Sequence, residues 1–159
     1  MADGLVKVVN RESKHPSGRW QRAPDDPAVD AALLLPVIRG AVPPRTEIAV
    51  RTVRAVLADL GEDHLLYRYR QGPGALGDTE GAFLMCSFSA AQALAVIDDL
   101  PSDRVEAARW FERSRAAAGS SGLFTEEYDP VTRQLRGNLP QAFVHSALIE
   151  TATILGRQR

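Results

Sequence analysis

Two adjacent carboxylates, Glu126 and Glu127, stand in the run Gly122-Leu123-Phe124-Thr125-Glu126-Glu127-Tyr128-Asp129-Pro130, with an aromatic residue on either side. A carboxylate in so half-apolar a setting can be tuned for proton chemistry. The same pair also describes a solvated turn, so spacing alone does not name a reaction. Tyr67-Arg68-Tyr69-Arg70 is a second candidate, because a planar guanidinium makes paired hydrogen bonds and the flanking rings offer faces for stacking. Within it Arg70 is the alternative to Arg68. Glu80 precedes a long small-residue and apolar run, where a carboxylate gains from a helix dipole whether or not it meets a ligand. His145, at helical spacing from Gln141 and Ile149, reads as a packed core histidine. His15 and His64 have no partner pattern, and one cysteine with scattered histidines gives no metal-site spacing. There is no P-loop, dinucleotide fingerprint or nucleophile elbow.

The chain has 159 residues, of which 45% are hydrophobic, the size and composition of one soluble globular domain. Lys and Arg number 19 against 20 Asp and Glu, which leaves no basic excess for phosphates and argues against a nucleic-acid binder. The apolar run from Ala31 to Ile38 stops at Arg39, far short of the ~20 residues of a membrane span. Residues 1–20 carry charges without an apolar stretch, so no secretory signal is read there. Cys86 in an apolar segment fits a reducing cytoplasm and a core position.

Five helical segments are expected. The first covers about 27–39, with Pro27 in the first turn, Asp30 one turn inside and Gly40 as the stop. The second covers about 46–60, with Ile48, Val53, Val56 and Leu60 at helical spacing and Gly61 after it. A third, about 79–100, opens on Glu80 and is apolar or small almost all round, the mark of a helix buried on every side. The fourth, about 102–118, is strongly charged on one face, with Ser102 as N-cap. The fifth, about 140–155, places Phe143, Ala147, Leu148, Thr151 and Leu155 on one stripe. Buried and amphipathic helices thus alternate, as in inner and outer layers joined by hairpins, and the fold class is all-α. Residues 1–17 read as an irregular N-terminal segment.

Several stretches in order resemble the C-terminal part of the catalytic domain of glycoside hydrolase family 15, the glucoamylase and trehalase family. They are Gly18-Arg19-Trp20-Gln21, Val29-Asp30 with the following Ala-Ala-Leu-Leu-Leu-Pro, Tyr67-Arg68-Tyr69-Arg70, Glu80-Gly81-Ala82-Phe83, the Glu126 loop, and Gly137-Asn138-Leu139-Pro140-Gln141-Ala142-Phe143-Val144-His145. The resemblance implies antiparallel helical hairpins forming part of an (α/α) barrel of six, over residues 18–156. It further implies an inverting glycosidase acting on α-linked glucose, an α-glucoside or trehalose, with no cofactor. Inversion needs one carboxyl group that protonates the leaving oxygen and a second that activates water. By the resemblance Glu126 is the general base, Glu127 being second choice in an adjacent pair, and Arg68 is the arginine that meets sugar hydroxyls. Tyr69, Glu80 and Asp30 are the further substrate-binding candidates. The family's proton donor is a glutamate preceded by Trp on an earlier hairpin, and neither Trp20-Gln21 nor Trp110-Phe111 supplies it. The rival expectation is therefore a catalytically inactive remnant, or a helical module whose partner completes the barrel; in either case the incomplete surround of residues 82–97 leaves an apolar patch and self-association is expected.

Overall fold

The computed structural model describes residues 2–70 and 80–157. Its organising element is helix α4, Leu84–Ile97, whose sequence Leu-Met-Cys-Ser-Phe-Ser-Ala-Ala-Gln-Ala-Leu-Ala-Val-Ile has no polar stripe. Such a helix has to be covered on all sides. Four alanines, at 90, 91, 93 and 95, are buried and let neighbours approach closely. Helix α5, Asp103–Arg115, packs against α4 most extensively, followed by α6, Ala142–Gly156, and α2, Leu35–Ile38, while α3, Glu47–Leu60, packs on the 3-10 turn that precedes α2 and on α4 itself. Two buried polar side chains fix the contacts of α4. Gln92 donates to Thr151 Oγ1 of α6 at 2.9 Å, and Ser87 Oγ, 2.9 Å from the Phe83 carbonyl, accepts the backbone N–H of Leu66 at 2.9 Å. A buried polar group costs stability unless it is hydrogen-bonded, so each of these ties sets one particular helix position.

The remaining regular structure is short. Strands β1, Gly61–Glu62, and β2, Leu65–Leu66, form a two-stranded ribbon; β3, Ala82–Phe83, β4, Glu127–Asp129, and β5, Gln134–Arg136, form an antiparallel sheet in that order. In register, Phe83 faces Glu127 and Glu127 faces Arg136. The all-α expectation holds, with the strands confined to loops.

Four local expectations are corrected. The segment 27–39 is not one helix: it runs as a 3-10 turn over Ala31–Leu34 and then α2, because Pro36 lacks the N–H that an unbroken helix would need there. Asp30 lies ahead of that turn as its cap, with extended backbone and a side chain that accepts the Ala32 N–H at 2.8 Å. Ser102 stands at the N-cap position, but its side chain makes no capping hydrogen bond; the buried Asp103 accepts the N–H groups of Asp99 and Leu100, ahead of the helix, at 2.9 Å each, with the Arg54 guanidinium at 2.7 Å. Lastly, residues expected to be irregular form helix α1, Ala2–Glu12, where Val6 packs on the core and Asn10 Oδ1 accepts the indole N–H of buried Trp20 at 2.7 Å. Thr79, the expected start of the third helix, lies outside the described residues; the helix itself begins at Leu84.

The apolar side chains left in the open also fall in a pattern. Leu35, Met85, Phe143 and Ile149 are exposed on α2, α4 and α6, and α6 is apolar around most of its circumference although only Val144, Ala147 and Thr151 are buried. Around α4 itself the coverage is nearly complete. Phe88 lies at its centre, fully buried, with ring centroids of Phe111 and Phe124 each 5.9 Å away. Phe88→Ala should lower unfolding stability by about 3–5 kcal/mol, the cost of removing a buried ring. Urea titration followed by tryptophan fluorescence measures it, and a loss under 1 kcal/mol would remove α4 from the centre of the fold.

Candidate active site at the helix N-termini

The segments that enter α2, α4 and α6 are sewn to one another by hydrogen bonds. Ala31 N–H, at the start of the 3-10 turn, donates to the Arg68 carbonyl at 2.9 Å. Leu84 N–H, at the start of α4, donates to the Glu126 carbonyl at 3.0 Å, and Gly81 N–H donates to Glu127 Oε2 at 2.9 Å. Gln141 N–H, at the start of α6, donates to the Phe124 carbonyl at 2.8 Å. Three helix N-termini therefore share one end of the molecule, and the candidate residues at 30, 68, 80 and 126 gather there although they are far apart in sequence.

Between these segments lies a cavity of about 370 Å³, lined by residues 67–70, Glu80, Gly81, residues 129–132 and Arg136. Arg68, Tyr69 and Glu80 thus come together as lining groups. The Arg68 guanidinium lies 5.7 Å from the Tyr69 ring centroid, and that of Arg70 lies 4.9 Å from Tyr67, so both arginines are held by aromatic faces. Burial, with the charge of Glu62 beside it, pushes the Tyr67 phenol up, which keeps its proton available for hydrogen bonding. Glu80 does not open a helix as expected; it stands ahead of β3, free of the α4 dipole, and lines the cavity instead.

Of the predicted site residues, Glu126 does not line this cavity, and neither does Asp30. The Asp30 carboxylate is committed to the 3-10 turn, and its charge is felt with that of Arg68 at the thiol of Cys86, which burial pushes up to about 12. Cys86 is accordingly a protonated core residue.

The two glutamates of the β4 loop occupy different positions. Glu127 is half-buried and its carboxyl is held above the ordinary glutamate range, first by burial and then by the charges of Glu80 and Glu126, against the lowering effects of the Gly81 N–H and Arg136. One of its oxygens is occupied in holding the 80–83 segment. Glu126, also half-buried, takes no side-chain hydrogen bond or ion pair among the described residues. It lies beside Gly137, whose φ is +85° and whose Cβ, if it had one, would stand 3.2 Å from that of Glu126. Glycine there both tolerates the left-handed backbone and leaves the carboxylate its space. Gly81 plays the same spatial part across the sheet, since a Cβ would come 2.7 Å from the Tyr128 carbonyl.

Sequence reading missed the hairpin wall. Asp129 Oδ1 accepts the N–H groups of Val131 and Thr132 at 2.9 and 3.1 Å, and the Arg136 guanidinium pairs with Oδ2 at 2.6 Å. The Thr132 N–H above all, with the other donors and Arg136, holds the Asp129 carboxyl below the usual range. Asp-Pro followed two residues on by Thr is the turn signal that could have marked it. Arg136 carried no signal, because its place opposite Glu127 depends on the register of β4 and β5.

The raised carboxyl of Glu127 has a consequence for stability. The folded state holds the proton more tightly than the unfolded chain, whose glutamates titrate near ~4.3. Below that value both states are protonated and no penalty exists; as pH rises through it toward the folded value, ionisation costs the folded state stability. Glu127→Gln should thus match the wild-type chain at acid pH and exceed it at neutral pH. Paired urea titrations across pH 4–8 test this, and a constant difference between the two chains would contradict it.

Comparison with known proteins bears on the same residues. Residues 3–153 match the family glycosyl hydrolases family 15. The chain is similar to a trehalase of Mycobacterium tuberculosis, 39% identical over 151 residues that make up 94% of this chain and 22% of that protein, and to a trehalase of Thermoplasma acidophilum, 35% identical over 125 residues covering 78% of this chain and 21% of that protein. Among solved structures it superposes on a wild-type glycosidase with a TM-score of 0.81 at 22% identity, over 97% of this chain and 43% of that one, and equally well on a glycosidase variant in complex with glucose. The chain spans about a fifth of the length of the trehalases it matches, and its hairpins are part of an (α/α) barrel of six. With the matched region running from α1 through α6, the chain belongs to glycosyl hydrolases family 15.

Proposed function

We propose that the chain is part of a glycosidase catalytic domain acting on α-linked glucose, trehalose foremost, with Glu126 as the general base of an inverting reaction. The observation that carries this reading is the gathering of Arg68, Tyr69, Glu80 and the Glu126 loop at the shared end of α2, α4 and α6. Relatives named trehalase and a glycosidase variant holding glucose support a sugar as the substrate. In this reading Arg68 and Glu80 hydrogen-bond sugar hydroxyls while the Tyr69 ring packs on the pyranose. Asp30 serves the substrate indirectly, by capping the 3-10 turn whose Ala31 N–H holds the Arg68 carbonyl. Glu126 takes a proton from a water as its oxygen attacks the anomeric carbon. The glycosidic bond breaks, and a second carboxylic acid, from a part of the barrel outside this chain, protonates the departing oxygen. The free carboxylate of Glu126 suits the base, which must be ionised and unencumbered. Glu127, whose oxygen holds Gly81, suits the framework. No cofactor enters this chemistry. A reducing, cytoplasmic setting fits the buried thiol of Cys86.

A second reading is a helical module that acts only when a partner supplies the remaining hairpins. Phe143 and Ile149, 71% and 66% exposed on a helix apolar around most of its circumference, favour it. Self-association of the isolated chain would follow from the same face.

The 159-residue chain alone should hydrolyse neither trehalose nor maltose at an enzymatic rate. Joined to the remainder of a mycobacterial trehalase catalytic domain it should regain turnover, and Glu126→Gln should then lower kcat by about 10²- to 10⁴-fold with KM little changed, since an amide keeps the size but cannot accept the proton. Full activity in Glu126→Gln with loss in Glu127→Gln would move the base by one residue. Indifference to both changes would take this loop out of catalysis.

A further inference from the structure

We propose that His145 is a positioning residue: through its Nε2 lone pair it accepts the backbone N–H of Phe124 and so holds the Glu126 loop onto the first turn of α6. Its catalytic consequence rests on the reading of Glu126 given above; the structural hold does not.

The contact is a hydrogen bond of 3.3 Å from Phe124 N–H to His145 Nε2. Phe124 is 2% exposed, so this N–H has no route to water and needs a partner within the protein. Its own carbonyl accepts Gln141 N–H at 2.8 Å. Both polar backbone groups of Phe124 are thus bound by residues one helical turn apart, Gln141 and His145, at the entrance of α6. The imidazole also meets the Phe124 ring edge-on, with centroids 5.3 Å apart, and Phe124 in turn lies edge-on to Phe88 of α4. Glu126 follows two residues later, and its carbonyl is bound by Leu84 N–H at the start of α4. The loop is therefore pinned to α6 on one side of the glutamate and to α4 on the other.

This geometry also defines the chemical state of the ring. An imidazolium has two N–H donors and no acceptor, so a ring that accepts at Nε2 is neutral and carries its proton on Nδ1. With its lone pair engaged by a main-chain amide, His145 is not placed to be the missing proton donor or a second base. Its part is to fix where Glu126 stands, and an error of about 1 Å at a catalytic group costs on the order of 10²-fold in rate.

The test uses the full 159-residue chain in solution. Nitrogen NMR of the wild-type imidazole should show an unprotonated Nε2 and a protonated Nδ1, with the Phe124 amide protected from exchange. His145→Phe keeps a ring against Phe124 but removes the acceptor; Phe124 exchange should then rise about tenfold or more, while the amides of Ala91 and Leu94 in α4 stay as they were. His145→Gln, with an amide oxygen able to accept, should recover most of the protection. In the completed barrel used for Glu126→Gln, His145→Phe should lower kcat about tenfold or more with KM unchanged, and His145→Gln should restore it. Phe124 exchange unaltered in His145→Phe, or an Nε2 that carries the proton, overturns the hold. Faster exchange with undiminished kcat overturns the positioning role. If Glu126→Gln proves fully active the assignment of the base fails, and the exchange and nitrogen measurements still decide whether His145 holds the loop. Should His145→Phe not fold, the wild-type nitrogen spectrum and His145→Gln decide it.

Discussion

Helix α4 has almost no face to give to water, and this constraint organises the molecule. Its apolar surface can be hidden only by neighbours on every side, so α2, α3, α5, α6 and strand β2 arrange themselves around it. Alanines on several of its sides let those neighbours come near, and its buried polar side chains are hydrogen-bonded, Ser87 to Leu66 of β2 and Gln92 to Thr151 of α6 among their partners. Those ties turn a non-directional hydrophobic requirement into a specific arrangement, because an unpaired buried hydroxyl or amide would cost more than a small rearrangement returns.

Covering α4 also brings the candidate segments together. The helices that flank it most directly among those entered from this end, α2 and α6, have their N-termini level with its own, so the loops that enter all three meet. Their contact is made through the main chain, by Ala31 to Arg68, Leu84 to Glu126 and Gln141 to Phe124. Main-chain bonds fix backbone position whatever the side chains do, and this leaves Arg68, Glu80 and Glu126 available to a ligand. Side chains that do become engaged are taken up in framing the loops: Glu127 on Gly81, Asp129 on its own turn and on Arg136, Asp30 on Ala32. The division between engaged and unengaged carboxylates is the chief electrostatic feature of the site. The chain spans about a fifth of the length of its trehalase relatives, and Phe143 and Ile149 stand exposed on α6.

The sequence by itself was enough for the all-α class, for α3, for the buried nature of α4 and for the family resemblance to which the Glu126 loop and the Arg68 segment contribute. The reason is that these depend on local pattern: 3.6-residue periodicity, an apolar run without a polar stripe, and residue types joined in short motifs. Pattern failed at 27–39, where regular turns begin only at Ala31 behind the Asp30 cap, at Ser102, whose side chain makes no capping bond, and at α1, whose anchor is Trp20 meeting Asn10. The different contacts of the two glutamates, the hairpin wall of Asp129 and Arg136, and the bond from Phe124 N–H to His145 were decided by folding alone. Each depends on strand register or on a long-range main-chain hydrogen bond, and such a partner has no counterpart among sequence neighbours.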